Sequence, residues 1–410
     1  LNAAARSLES GAIVRRVAIL IEYPTVNGGE NSILAMLKYL LDVGSAKSGF
    51  EFCVLGPSAG TMAERIGELG LPVVDLNLFD SEGARLPREQ AIPQLQEAIE
   101  KSGADLIHGN SLAMGRLLGA AARQDSRLVT TSHLRDIMKL SRAAISDLNA
   151  NRRLVAVSDA TLRFHEGQWL DSSIGVVIHN GIDAGDFVAN DSSRTRIRQE
   201  LGIPEDAVVL LTVGQIGLRK GLDTLADVGQ RLARERSEIH WLLAGERFSQ
   251  KFESVEYEAN VLKKFSSCEP ALRLHRLGYR RDIPELMRAS DMLVHAARQE
   301  PLGRVLLEAA ASGLAIVATD VGGTAEILAH RESALLVPAD SPTATTDAIS
   351  ILIDDVAFRN QLASAARCRI RSDFSIETSA VALANIWRSV LSKTTADQIT
   401  AADVSTVDRT

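Results

Sequence analysis

Val208–Val209–Leu210–Leu211–Thr212–Val213–Gly214–Gln215–Ile216–Gly217–Leu218–Arg219–Lys220–Gly221 decides how this chain is built. Six apolar and β-branched residues read as a strand buried on both faces. A glycine-bounded turn follows, then an amphipathic stretch over 223–235. The same order occurs near the start: apolar residues 17–21, then Asn27–Gly28–Gly29–Glu30, then an amphipathic run over 30–43. Working outward, strands are expected at 51–55, 73–76, 106–108, 128–131, 154–157 and 176–178. In the second half they are expected at 240–243, 272–274, 292–295, 315–319 and 334–337. Helical patterns lie between them at 62–69, 88–102, 112–123 and 159–166, then at 253–265, 283–289, 304–312 and 343–353. Such βα alternation predicts an α/β protein with parallel, doubly wound sheets. The alternation stops at Asn180–Gly181–Ile182–Asp183, a turn signal, so two Rossmann-like domains are expected. They span 1–185 and 204–375, with a polar linker at 186–203, further helices at 357–372 and 376–391, and a disordered tail at 392–410.

Composition narrows the function classes. The 410 residues carry a formal charge of −7 and only 4% aromatics, so neither a basic field nor stacking platforms favour nucleic acid. Three scattered cysteines, Cys53, Cys268 and Cys368, form no CxxC pair and suit a reducing cytoplasm. No apolar run approaches the ~18 residues of a bilayer span. There is no GxGxxG, no Walker A, no Gly-x-Ser-x-Gly elbow and no Asp-x-Asp triplet. A metal-held diphosphate therefore has no obvious ligand set, and no metal is expected.

The chemistry gathers at strand ends. Glu300–Pro301–Leu302–Gly303–Arg304–Val305–Leu306–Leu307–Glu308 places one carboxylate before a helix and one on it. Pro301 suits a helix start and Gly303 permits close backbone approach. Between the carboxylates lie free backbone N–H groups at the positive end of the helix dipole. Carboxylates grip hydroxyls and a helix N-terminus grips phosphate, so a ligand with a diol, a diphosphate and a second polyol fits. A nucleotide sugar is such a ligand. Arg219 and Lys220, between Gly214 and Gly221, can reach its diphosphate; a solvated basic turn is the plainer reading. Gly28 and Gly29 open the first long helix, either as a phosphate cradle or as a tight βα turn. His133, expected just past a strand, either meets a sugar hydroxyl or is structural; His108 and His179 are expected to be structural. Arg135, Lys139 and Arg142 have i, i+4, i+7 spacing. They form either a solvated helical face or a contact for an anionic acceptor or lipid surface.

These motifs together resemble the retaining GT-B glycosyltransferases of family 4 (glycosyl transferases group 1). The resemblance runs through Gly28–Gly29, His133, Asn180–Gly181, Val213–Gly214 with Arg219–Lys220–Gly221, Gly278–Tyr279, Glu300 to Glu308, and Gly322–Gly323 with Glu326. It implies two Rossmann-like domains facing an interdomain cleft, with 376–391 crossing back to the first. The donor would be a nucleotide sugar such as a UDP- or GDP-hexose, with no cofactor. Arg219 and Lys220 would neutralise the leaving diphosphate with backbone amides around Leu302, Gly303, Arg304 and Val305. Glu308 would hold the ribose, Glu300 would face the donor sugar, and the loop at Tyr279 would position the base. Gly28 and Gly29 would contact phosphate or sugar, and His133 would lie near the reacting sugar. Leu302 departs from the family, which usually has an aromatic there. A glycan, lipid-linked or small-molecule hydroxyl would be the acceptor, in the cytoplasm or at the inner face of the membrane. A sugar-nucleotide epimerase and a catalytically silent nucleotide-binding module are the alternatives.

Overall fold

The computed structural model describes residues 6–7, 13–187 and 191–407. The chain divides into two compact units: Leu1–Gly181 with Ile376–Thr410, and Ile182–Ser375.

The first unit is built on β1 (Arg6–Ser7), β2 (Ile13–Leu20), β3 (Phe50–Gly56), β4 (Val73–Asp75), β5 (Leu106–Gly109), β6 (Thr130–Leu134), β7 (Arg153–Ala156) and β8 (Gly175–Val177). Their order is β4-β3-β2-β5-β6-β7-β8, all parallel, with β1 antiparallel to β2. Residues 17–20 are fully apolar because helices cover both faces. Ile33, Met36 and Leu37 of the helix Gly28–Val43 pack on one face, and Leu95 and Leu118 on the other. The last helix, Ile376–Val407, belongs to this unit: Leu383, Ala384 and Trp387 complete the first of these cores. Trp387 meets Phe50 edge-on at 5.7 Å between ring centroids.

The second unit holds β9 (Val208–Val213), β10 (Ile239–Ala244), β11 (Leu272–Gly278), β12 (Met292–His295), β13 (Ala315–Thr319) and β14 (Leu335–Val337). The order is β11-β10-β9-β12-β13-β14, parallel throughout. In each unit the central strand is flanked by strands whose connections run in opposite directions, which makes a topological switch point: β2/β5 in the first, β9/β12 in the second.

Two expectations fail. The stretch 186–203 is not a plain linker, because it contains the helix Asp191–Glu200. Arg198 of that helix is 1% exposed and donates to the carbonyls of Pro204, Glu205, Ala207 and Ala289 and to Asp291. A largely polar sequence thus folds onto its unit through that buried guanidinium and a single buried apolar side chain, Ile197. The tail expected at 392–410 continues the last helix as far as Val407. Its composition contains no Gly or Pro to stop a helix between 376 and 407.

Candidate active site

The loops after β9 and β12 leave the same edge of the second sheet and diverge. Gly214 begins the first loop, and a Cβ there would lie 3.5 Å from Lys220 Cε, so the lysine stem crosses bare backbone. Gly221 has φ 64°, and a Cβ on it would sit 2.0 Å from the Ala296 carbonyl oxygen; only glycine lets the two loops approach this closely. Arg298 fastens them further. Its backbone N–H donates to the Arg219 carbonyl (2.8 Å), and its guanidinium donates to the Leu218 carbonyl (2.7 Å) and to both Asp223 oxygens (2.9 and 2.7 Å).

This bracing brings Lys220 Nζ to 2.6 Å from Glu300 Oε2. The same oxygen accepts from His295 Nε2 at 2.9 Å, at the end of β12. Burial alone would raise the Glu300 carboxyl, but the Lys220 charge and the His295 and Lys220 hydrogen bonds outweigh it and hold it well below the usual carboxylate range. Burial and the Lys220 charge push the His295 imidazole down, so it is neutral and donates its Nε2 hydrogen. Glu300 is therefore a fixed anion between one cation and one neutral donor. Arg219, next in the turn, is exposed.

The helix expected at 304–312 is Arg304–Ala311, and Pro301 lies before its first turn rather than within it. Gly303 caps it with φ 100°, where a Cβ would lie 2.7 Å from Leu306 Cδ1. Leu302 is buried, so an aliphatic side chain fills the space under this turn. Gly323 N–H donates to the Glu300 carbonyl at 3.0 Å, which ties in the loop after β13. Glu308 pairs with Arg304 at 2.7 Å; burial raises its carboxyl and the Arg304 charge offsets part of that. Tyr279 stands at the end of edge strand β11, half-exposed, with its N–H on Glu246 Oε1 at 3.1 Å. Thus Lys220 meets both Gly214 and Glu300, Gly303, Arg304, Val305 and Glu308 share the adjoining turn, and Tyr279 is two strands from β9.

In the first unit, Gly28 and Gly29 open the sixteen-residue helix Gly28–Val43 beside the β2/β5 switch point. A Cβ on Gly29 would approach Arg135 Cδ to 3.0 Å. Arg135 donates to the Asn110 carbonyl (3.0 Å), Asn110 Oδ1 (3.0 Å) and Asn180 Oδ1 (2.9 Å). His133 lies within β6 rather than past it, fully buried, its Nδ1 2.7 Å from His108 Nε2. Burial, the Arg135 charge and His108 push the His133 imidazole far down, so it is neutral.

The basic helical face expected from Arg135, Lys139 and Arg142 does not exist. Residues 135–141 are irregular. The His165 ring donates to the Asp136 carbonyl (2.8 Å), and the Gln168 amide bonds Leu140 N–H (2.7 Å) and the Met138 carbonyl (3.1 Å). Those backbone groups are thereby withdrawn from an i→i−4 ladder. A helix begins only at Arg142, capped by Ser141, and Arg142 lies over the Trp169 ring at 4.3 Å. Sequence reading missed His295 and Arg298. The available signal was a titratable residue ending a buried strand, five positions before Glu300, and an arginine between them.

Comparison with known proteins bears on the family and the fold. Residues 193–369 match the family "Glycosyl transferases group 1", and residues 26–186 match "Glycosyltransferase Family 4". The chain is 27% identical over 302 residues to the lipopolysaccharide core biosynthesis mannosyltransferase LpsB of Rhizobium meliloti, covering 70% of this chain and 84% of that one. It is 27% identical over 303 residues to a D-inositol 3-phosphate glycosyltransferase of Xylanimonas cellulosilytica, covering 69% and 71%. The crystal structure of Anabaena HepE in complex with UDP and glucose superposes with a TM-score of 0.79 at 22% identity, over 92% of this chain and all of that one. Two doubly wound sheets, two family matches that follow one another along the chain and full-length structural likeness make this protein a GT-B glycosyltransferase of the family 4 type.

Proposed function

We propose that this glycosyltransferase moves a hexose from a nucleoside-diphosphate sugar to a hydroxyl of a glycan, lipid or small-molecule acceptor, with retention at the anomeric carbon and without a metal. The observation that carries this reading is the Lys220–Glu300–His295 cluster at the β9/β12 switch point. Cleaving the sugar–diphosphate bond leaves negative charge on the departing oxygen. Lys220 and Arg219 are the fixed cations for that charge, and the N-terminus of Arg304–Ala311 supplies amide dipoles beside them. An incoming diphosphate competes with Glu300 for the Lys220 ammonium. Glu300 then bears one oxygen held by His295 and a second that can accept from a sugar hydroxyl. Its charge also favours the oxocarbenium that develops at the anomeric carbon. Glu308 accepts from the ribose hydroxyls, and the loop at Tyr279 lies beside the base. The acceptor hydroxyl attacks from the face the diphosphate leaves and passes its proton to the departing phosphate oxygen, which gives retention with no enzyme-bound sugar.

The names of the relatives support a hexose donor: LpsB is a mannosyltransferase, and HepE has been crystallised with UDP-glucose. A cytoplasmic location is supported by three free cysteines, two of them buried. Among the described residues no helix is long and apolar enough to cross a membrane. Exposed Met138, Lys139, Arg142 and Trp169 offer the surface on which an anionic acceptor or bilayer would be met.

The test is a thermal-shift screen with UDP, GDP and ADP and their hexoses, followed by NMR of the product's anomeric centre. Stabilisation by one nucleotide and a product of the donor's configuration are expected. An inverted product would refute retention, and conversion of the donor without any acceptor would replace the transferase reading with an epimerase.

A further inference from the structure

We infer that Trp387, on the C-terminal helix, is a positioning residue that acts through His108 to fix the tautomer of His133. His133 then presents a hydrogen on Nε2.

The chain of reasoning starts from an indole. Trp387 is fully buried, and its Nε1–H donates to His108 Nδ1 at 3.3 Å. An indole nitrogen can only donate, so His108 Nδ1 can only accept. The Thr131 hydroxyl, 2.8 Å from the same nitrogen, can rotate to donate as well. A neutral His108 therefore carries its hydrogen on Nε2 and gives it to His133 Nδ1 at 2.7 Å. His133 Nδ1 accepts, so its own hydrogen must lie on Nε2. That Nε2 is buried and has no hydrogen-bond partner among the described residues. A buried, unpaired N–H is destabilising, and an acceptor atom on a ligand removes that cost.

Both rings stay neutral. Burial and then the Arg135 charge push His108 to about 3, and the same causes, with His108 itself, hold His133 well below its ordinary value. Protonating His133 would also turn its Nδ1–H toward the His108 Nε2–H. The relay thus makes His133 a fixed hydrogen-bond donor, not a proton acceptor. Resting on the transferase reading, the group it would meet is an oxygen of the donor sugar. The groups that assemble this orientation come from three places in the chain: β5, β6 and the helix Ile376–Val407.

The experiment is long-range ¹H–¹⁵N correlation NMR on the full chain labelled with ¹⁵N-histidine, without ligand, at pH 7. His108 and His133 should both show the Nε2–H tautomer. Trp387→Phe keeps an aromatic ring but removes the donor, leaving Thr131, which can donate or accept. The Nδ1–H form of both rings should then rise toward about half, as for an unbiased pair of tautomers. With donor present, kcat should fall about tenfold, the scale of one mis-set hydrogen bond, and donor KM should change less. In a His108→Gln background, whose amide can donate to His133 regardless of Trp387, Trp387→Phe should leave His133 unmoved. Wild-type His133 with its hydrogen on Nδ1 overturns the proposal, even if the variants fail to fold. So does an unchanged His133 spectrum in folded Trp387→Phe. The tautomers are read without turnover, so failure of the relay is distinguishable from failure of the transferase assignment.

Discussion

Glu300 shows how much a single buried carboxylate depends on its neighbours. It is 6% exposed, and its anionic form survives because Lys220 and His295 share one of its oxygens. Removing Lys220 leaves that charge uncompensated. Lys220→Ala should lower turnover by two or more orders of magnitude and cost about 3 kcal/mol of stability, as breaking a buried pair typically does. Steady-state kinetics and urea unfolding check the two parts separately. Near-normal turnover in both Lys220→Ala and Arg219→Ala would remove these residues from the leaving group. The depressed Glu300 carboxyl also has a pH signature. Its contribution is present above the unfolded glutamate value, about 4.3, and is lost as pH falls below it toward the folded value. The buried imidazoles act over a higher range. His108 and His133 are neutral when folded and bind protons when unfolded, so stability should fall as pH drops from about 6.5. Each such proton corresponds to at most about 1.4 kcal/mol per pH unit, and His165, His240, His275 and His295 are depressed in the same direction. Unfolding titrations between pH 7 and 5 should show stability falling with pH, with a slope shallower by about 1.4 kcal/mol per pH unit in His108→Gln.

Turns and helix starts carry most of the precision in the second unit. Gly303 holds φ 100° and has a leucine methyl where a Cβ would go. Gly303→Ala should cost about 1–2 kcal/mol from the left-handed backbone alone and should displace the amides at the start of Arg304–Ala311. A donor KM that rises with little loss of fold is the expected reading by kinetics and circular dichroism. Arg298 braces the turn from the other side, through Asp223, Leu218 and Arg219. Arg298→Ala should lower kcat about tenfold without touching substrate, because Lys220 and Arg219 lose a fixed position. A fully active Arg298→Ala would show that the turn holds its shape unaided. These elements were unevenly legible. Strands such as Val208–Val213, Met292–His295 and Ala315–Thr319 stand where their apolar runs predict, since a strand buried on both faces leaves little choice of side chain. The helix Asp191–Glu200 was not legible, because its buried face holds one apolar residue, Ile197, beside Ser193 and Arg198. The irregular stretch 135–141 was misread for the opposite reason: its spacing is helical, but side chains from 165 and 168 take its backbone groups.

At the level of the whole chain, the first unit is discontinuous. Its sheet comes from residues before 181, yet one of its cores is closed by Leu383, Ala384 and Trp387. Trp387→Ala should cost about 3–5 kcal/mol, the usual loss for a large buried aromatic, and calorimetry should place that loss in the first unit. Unchanged melting would mean that the helix Ile376–Val407 contributes no core there. The sequence by itself determined the βα alternation, its interruption near Gly181 and the glycines and charges at strand ends. Those are local properties: residue period, backbone freedom and position relative to a strand. Only the tertiary structure decided which charges meet. Lys220 and Glu300 are brought together by the β9/β12 crossover, and His295 joins them because β12 ends beside that loop. His133 receives its orientation from a tryptophan more than two hundred positions away. Contacts of that range depend on how sheets wind and helices return, and no local pattern of residues encodes them.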